Sequence, residues 1–156
     1  MKLNEVTREI ILVSGRLCSG KGHYCAQAFP GYKILTVSSI VKSLINSEKR
    51  SDTEKTAHLD TQIIEKLIEE ISKYSKVVVE GVRQPSIVRA LQQHFGPQIV
   101  DMVWLDVPED VRKQRFERRA RAGDDQPFDK AGLGDEALGI GDVEKLFRAS
   151  GRIAQN

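Results

Sequence analysis

The sequence has few of the residues that build disulfide frameworks or membrane spans. Its 156 residues include only two cysteines, Cys18 and Cys25, and no apolar run approaches the length of a bilayer crossing. Two thiols near one glycine-rich loop are typical of reduced intracellular residues and argue against a disulfide-stapled secreted domain. The first five residues carry no apolar segment of the signal-peptide kind, so we expect a cytoplasmic protein with no membrane partner.

The chain as a whole also lacks a large excess of either sign of charge, because its formal net charge is only +2. The apolar fraction of 40% and the charged fraction of 29% are those of an ordinary globular protein. The length predicts a single domain over residues 1–156. The charge is unevenly distributed, however, since six of the ten residues from 112 to 121 are basic.

Short apolar runs alternate with helical patterns along the chain. The runs predict buried strands at 9–14, 33–37, 76–80 and 99–105, with a weaker one at 152–155. Apolar periodicity predicts a helix around 55–74, and prolines in the first turn predict helices at 85–95 and 108–122. This alternation predicts an α/β fold with three layers, in which helices cover both faces of a parallel sheet. The Gly- and Asp-rich stretch 123–141 is expected to be a mobile loop or lid.

The strongest motif is the stretch Gly-Arg-Leu-Cys-Ser-Gly-Lys-Gly at 15–22, between a predicted strand and a predicted helix. Its glycines let successive backbone N–H groups turn toward one anion, and the following helix adds its positive N-terminal end. Lys21 would contact the outer phosphates as a point charge. We therefore expect ATP to be bound by Gly15, Arg16, Leu17, Cys18, Ser19, Gly20, Lys21, Gly22 and His23.

Magnesium, the expected partner of ATP, lacks its usual ligand after Lys21. Gly22 stands where such loops carry a Ser or Thr hydroxyl for the metal. Ser19 could supply the hydroxyl instead, and Glu80 at the end of a predicted strand could hold the metal through water.

The run 14–25 resembles the adenylate kinase and UMP-CMP kinase family, in which Gly-Lys-Gly-Thr is usual. The resemblance covers most of the chain loosely and implies a P-loop NTPase fold of the nucleoside monophosphate kinase type, with a short lid at about 120–141. His23 occupies the Thr position, and both a metal-handling role and a plain surface role stay open for it. Acceptor-binding helices are implied at about 39–74, with Ser39 and Lys42 in place of an Asp and an Arg.

Two further segments extend the resemblance. The stretch 79–84 looks like the family's strand-end signature, which implies that Arg83 and Gln84 bind the acceptor and that Arg83 clamps an anionic group; a solvated Arg at a strand end is the alternative. On the predicted helix 108–122, Arg112, Arg115 and Arg119 share one side, where a phosphate-rich ligand would offset their repulsion. The family's lid helix grips the triphosphate at this spacing, so the resemblance implies a catalytic set of Lys21, Arg83, Arg115 and Arg119.

The expected activity is transfer of the terminal phosphate of ATP to a nucleotide-type acceptor. The motifs also look similar to bacteriophage 5-hydroxymethyluracil DNA kinases, of the thymidylate kinase-like group, which phosphorylate the base hydroxymethyl during thymidine hypermodification. That resemblance implies modified DNA as acceptor and the host cytoplasm as location. A basic cluster compatible with DNA is formed in the sequence by Lys42, Lys49, Arg50 and Lys55.

Two alternative functions stay open at this point. The first is a kinase of free (deoxy)nucleoside monophosphates. The second is a nucleotide-binding switch of low turnover, which the absence of Ser or Thr after Lys21 favours. The chain is expected to be a monomer or a homodimer, because the apolar face of 59–71 could pack on the sheet or on a second subunit.

Overall fold

The computed structural model describes residues 7–45, 59–119 and 127–156. In these segments five strands form one parallel sheet in the order β2-β3-β1-β4-β5. The strands are β1 (Glu9–Gly15), β2 (Lys33–Thr36), β3 (Lys76–Glu80), β4 (Val100–Asp106) and β5 (Arg152–Gln155).

Helices follow the strands, as parallel pairing requires of its crossover connections. They are α1 (Lys21–Ala28), α2 (Val37–Ile45), α3 (Asp60–Ile71), α4 (Pro85–Phe95), α5 (Glu109–Arg119), α6 (Phe128–Leu138) and α7 (Ile140–Ser150). None of the described helices is long and apolar enough to cross a membrane.

The central strands β1, β3 and β4 are almost entirely buried. Because successive residues of a strand point to opposite sides, these strands contribute side chains to a core on each face of the sheet. Ile10 and Leu12 of β1 join the larger core cluster, to which α2, α3, α4 and α7 contribute. Ile11 and Val13, one position along, join a smaller cluster with Cys25 of α1. The three-layer α/β/α fold is therefore confirmed.

The predicted strands are confirmed to within one or two residues at each end. The helix predicted at 55–74 is Asp60–Ile71, and residues 55–58 lie outside the described part of the chain. The helix predicted at 108–122 is described over Glu109–Arg119, and the residues that follow it are not described. Val37 was assigned to the second strand but begins α2.

The Gly- and Asp-rich stretch 123–141 is not a loop over the part that the structure describes. It contains α6 and the beginning of α7, joined at Gly139, whose φ of 112° lies in the left-handed region. Phe128 is buried with its ring centroid 5.7 Å from that of Phe116, and Ile140 is buried in the larger core. Burial of these side chains outweighs a helical cost of about 1 kcal/mol for each glycine. Residues 120–126 lie outside the described segments, and a lid function for 120–141 stays a prediction.

Candidate nucleotide-binding site

The glycine-rich loop lies at the edge of the sheet where the parallel strands end. β1 finishes at Gly15 and α1 begins at Lys21, so the loop 15–20 runs from the last residue of a buried strand to the residue before a helix N-terminus. The Gly81 N–H donates to the Val13 carbonyl at 2.9 Å, which ties the segment after β3 to the end of β1. Ligands of α/β folds commonly bind at this edge of the sheet.

The loop contains two left-handed residues, a backbone pattern typical of anion-binding loops. Cys18 and Gly20 have φ angles of 64° and 82°, in the left-handed region, and Ser19 between them donates its N–H to the Arg16 carbonyl at 3.1 Å. Such alternation turns successive N–H groups toward one point. Gly15 is required for a different reason, because a Cβ there would meet the Ser19 hydroxyl and lie 3.1 Å from the Leu105 carbonyl.

Lys21 folds back along the loop. Its Nζ donates to the carbonyl oxygens of Gly15 at 3.3 Å and Arg16 at 3.4 Å. The ammonium group and the α1 N-terminus therefore place positive charge beside the loop, where both attract phosphate oxygens.

Two oxygen donors near the loop fit a magnesium ion. The Ser19 hydroxyl is fully buried and has no hydrogen-bond partner among the described residues. Glu80 ends β3 beside Val13 of β1 and is 8% exposed. A hydroxyl and a carboxylate are the hard ligands that magnesium prefers, often with water between metal and protein.

The two residues after Lys21, Gly22 and His23, offer no hydroxyl or carboxylate oxygen. Gly22 is exposed, and a Cβ added there would meet nothing within 4 Å. A larger residue would therefore fit at position 22. His23 lies on the exposed side of α1. Within the described segments no group of three or more His, Cys, Asp or Glu side chains is arranged to hold a metal. The metal role of His23 stays a prediction.

Cys25 lies under the loop, on the inner face of α1. Burial raises the pKa of its thiol from 9.0 to about 12; the charge of Glu80 acts in the same direction and that of Lys21 opposes it. Cys18 lies in the loop and is half-buried. The two thiols therefore differ in access, and ionisation of the buried Cys25 thiol is also suppressed.

We expect one fast and one slow thiol in the native protein. Cys18 should react with a disulfide reagent at pH 8, whereas Cys25 should react only after unfolding, because reactivity needs an accessible thiolate. Thiol counting with and without denaturant, on the Cys18→Ser and Cys25→Ser variants, checks the assignment; two fast thiols would contradict it.

The free energy of unfolding should also depend on pH. Because the pKa of the Cys25 thiol is 9.0 in the unfolded chain and about 12 in the folded one, stability should fall as the pH rises through that window.

The basic helix α5 packs against the outer side of the loop. Arg112 donates from Nη1 to the Leu17 carbonyl at 3.3 Å, and Arg115 donates from Nη1 to the Cys18 carbonyl at 3.3 Å. Arg119 lies over the Phe116 ring at 5.0 Å. Two of the three arginines thus contact loop backbone, and the triphosphate contacts of Arg115 and Arg119 stay predictions.

The residues expected to bind the acceptor separate into two groups. Arg83 and Gln84 are buried just after β3, whereas Ser39 and Lys42 are exposed on α2. Arg83 donates from Nη1 to Asp135 of α6 at 2.8 Å. A solvated Arg83, the alternative drawn from the sequence, is therefore wrong.

Carboxylates that the sequence did not single out hold this region together. Asp60 of α3 accepts a hydrogen bond from Gln84 at 2.5 Å and another from Ser86. Arg16 of the loop forms ion pairs with Glu136 of α6 and Glu144 of α7, the latter at 3.0 Å. Adjacent acids on α6, Asp135 and Glu136, thus contact one arginine beside the acceptor region and one in the loop. The sequence offered no clear signal for these acids, because the glycines at 132 and 134 favour a loop over the helix that carries them.

No protein-family model and no curated protein sequence shows a significant match to the chain. Solved structures do match. Shikimate kinase from Bacteroides thetaiotaomicron is 17% identical with a TM-score of 0.56, over 94% of this chain and 86% of that one. A gluconokinase from Sinorhizobium meliloti 1021 is 18% identical with a TM-score of 0.52, over 95% and 82%. A sugar kinase from Janibacter sp. HTCC2649 is 19% identical with a TM-score of 0.58, over 94% and 84%.

The chain has the fold of these P-loop kinases. At these identities the likeness establishes the architecture, including a strand, a glycine-rich loop and a helix in succession at the carboxyl edge of a parallel sheet. The chemistry has to be argued from the residues of this chain.

Proposed function

We propose that the protein is an ATP-dependent phosphotransferase whose acceptor is a free small molecule. The observation that carries the proposal is the loop 15–20, where left-handed Cys18 and Gly20 give a backbone pattern typical of anion-binding loops and the Lys21 ammonium lies beside them. Two oxygen donors suited to magnesium, Ser19 and Glu80, lie at the same edge of the sheet.

In the proposed reaction the loop N–H groups and Lys21 bind the β- and γ-phosphates of ATP. Ser19 and Glu80 would hold magnesium, which supplies charge neutralisation on the phosphate oxygens. Because phosphoryl transfer leaves little covalent work for the protein, positioning and electrostatic stabilisation account for the rate. The N–H groups of a fixed loop cost no reorganisation as charge moves to the leaving ADP.

The acceptor is proposed to bind beyond β3, near Arg83 and Gln84. The guanidinium of Arg83 contacts Asp135 at 2.8 Å, so an acceptor phosphate or carboxylate would share Arg83 with that carboxylate. A neutral acceptor hydroxyl would bring no second negative charge beside Asp135. The compared structures carry the names of small-molecule kinases, which supports a free acceptor over a base in DNA.

Transfer of label from ATP to a panel of acceptors tests the proposal. The panel contains free deoxynucleoside monophosphates, small hydroxylated compounds including gluconate and shikimate, and duplex DNA with 5-hydroxymethyluracil. We expect magnesium-dependent label on one free compound. Label on DNA alone would overturn the free acceptor and support the modified-base hypothesis, whereas ATP binding with no transfer to any member would favour the switch hypothesis.

A further inference from the structure

Four consecutive carbonyl oxygens of the phosphate loop are held from outside by side chains of other elements. The donors lie on α5 and at the residue after β5. The pairs are Arg112 Nη1 to Leu17 (3.3 Å), Arg115 Nη1 to Cys18 (3.3 Å), and Asn156 Nδ2 to both Ser19 (2.8 Å) and Gly20 (3.0 Å).

This arrangement fixes the direction of the loop N–H groups. In a trans peptide the carbonyl and the following N–H point to opposite sides. Because the Asn156 amide holds the Ser19 and Gly20 carbonyls on the outer side, the N–H groups of Gly20 and Lys21 must point to the inner side. Those are the donors nearest the N-terminus of α1, where an anion binds best.

We infer that Asn156 is a positioning residue for the phosphate loop, an inference that rests on the proposed function for the identity of the anion. Its own place is fixed by the sheet, since β5 pairs with β4 in a register that sets Gln155 beside Asp106. Its main-chain oxygen accepts a hydrogen bond from Arg115 Nη2 at 2.5 Å. Asn156 and Arg115 therefore hold each other as well as the loop.

The φ of 82° at Gly20 favours glycine by itself, and Asn156 approaches closely at the same position. A Cβ on Gly20 would collide with the Asn156 amide nitrogen and lie 3.5 Å from Arg115 Nη1. Glycine at position 20 therefore allows both the left-handed φ and the close approach of the Asn156 amide.

Titration calorimetry with inorganic triphosphate and with ATP, each with magnesium, tests the inference. Asn156→Leu keeps the approximate shape and removes both donors, so both ligands should bind about tenfold more weakly, as the loss of two ordinary hydrogen bonds implies. The matched control is Gln155→Leu, at an exposed neighbouring position outside the loop contacts, which should stay within about twofold of the unmodified protein. Asn156→Ser has a side chain too short to reach both carbonyls, so its affinity for both ligands should fall as that of Asn156→Leu does. It replaces Asn156→Leu in the test if the leucine variant is poorly folded.

Three outcomes would overturn the inference. Unchanged affinity of Asn156→Leu for both ligands would remove the positioning role and leave the proposed function intact. Weaker binding of ATP with unchanged binding of triphosphate would mean that Asn156 contacts the nucleoside instead. Failure of the unmodified protein to bind either ligand would overturn the proposed function together with the inference.

Discussion

Lys21→Ala should lower phosphate transfer at least about 100-fold, the scale reported for losing one donor to a developing charge. Lys21 is the ammonium group at the loop, with Nζ 3.3 Å from the Gly15 carbonyl. Alanine removes that charge without touching the core, because Lys21 itself is only half-buried. Steady-state kinetics with magnesium and ATP, on the acceptor found by the panel, gives the measurement.

The lysine control for this prediction is Lys145→Ala, on the exposed side of α7. It removes the same charge from the protein surface and should leave the rate near that of the unmodified protein. Equal thermal stability of both variants would show that the fold is intact. Turnover of Lys21→Ala within severalfold of the unmodified protein would exclude the assigned role.

Asp135→Ala should destabilise the protein by about 3 kcal/mol, as expected when one partner of a buried ion pair is removed. Arg83 is 5% exposed and donates to the Asp135 carboxylate at 2.8 Å. Alanine leaves the buried guanidinium with less compensating charge. For a chain of this length, the melting temperature should fall by roughly 10 °C.

Two variants make the stability result specific. Asp129→Ala removes an exposed acid from the same helix and should change stability by less than about 0.5 kcal/mol. The pair Arg83→Met with Asp135→Leu replaces both charges by apolar groups and should recover most of the loss. Urea unfolding of all four proteins gives the free energies. A loss below about 1 kcal/mol for Asp135→Ala would contradict the buried-pair account.

The sheet and the loop could be predicted because their signals are local. The three central strands, β1, β3 and β4, are short apolar runs, as strands buried on both faces must be. The stretch 15–22 predicts its own position, since a glycine-rich turn between such a strand and a helix has few other uses. Burial of Ile10, Ile11, Leu12 and Val13 agrees with that prediction residue by residue.

The helices α6 and α7 could not be predicted with the same ease, because composition was a poor guide there. Glycines at 132, 134, 139 and 141 favour a loop by propensity. The deciding contacts are long-range, such as the Phe147 ring against Trp104 of β4 at a centroid distance of 6.2 Å. Missing these helices also meant missing Asp135 and Glu136.

The role of Asn156 was invisible in the sequence for a different reason. A single asparagine after a short, weakly predicted strand belongs to no spaced motif and to no periodic pattern. Only the register of β5 against β4 brings it to the loop, 136 and 137 positions away from the two carbonyls that it contacts. Contacts of that separation follow from topology and not from local pattern.

The central claim is that the loop 15–20 with Lys21 is a nucleotide-phosphate site. Titration calorimetry of the unmodified protein with magnesium and ATP, repeated on Lys21→Ala, tests it most directly. The account predicts saturable binding at a single site per chain, competed by inorganic triphosphate and strongly weakened in the variant. Absence of binding, or equal binding by both proteins, would contradict it.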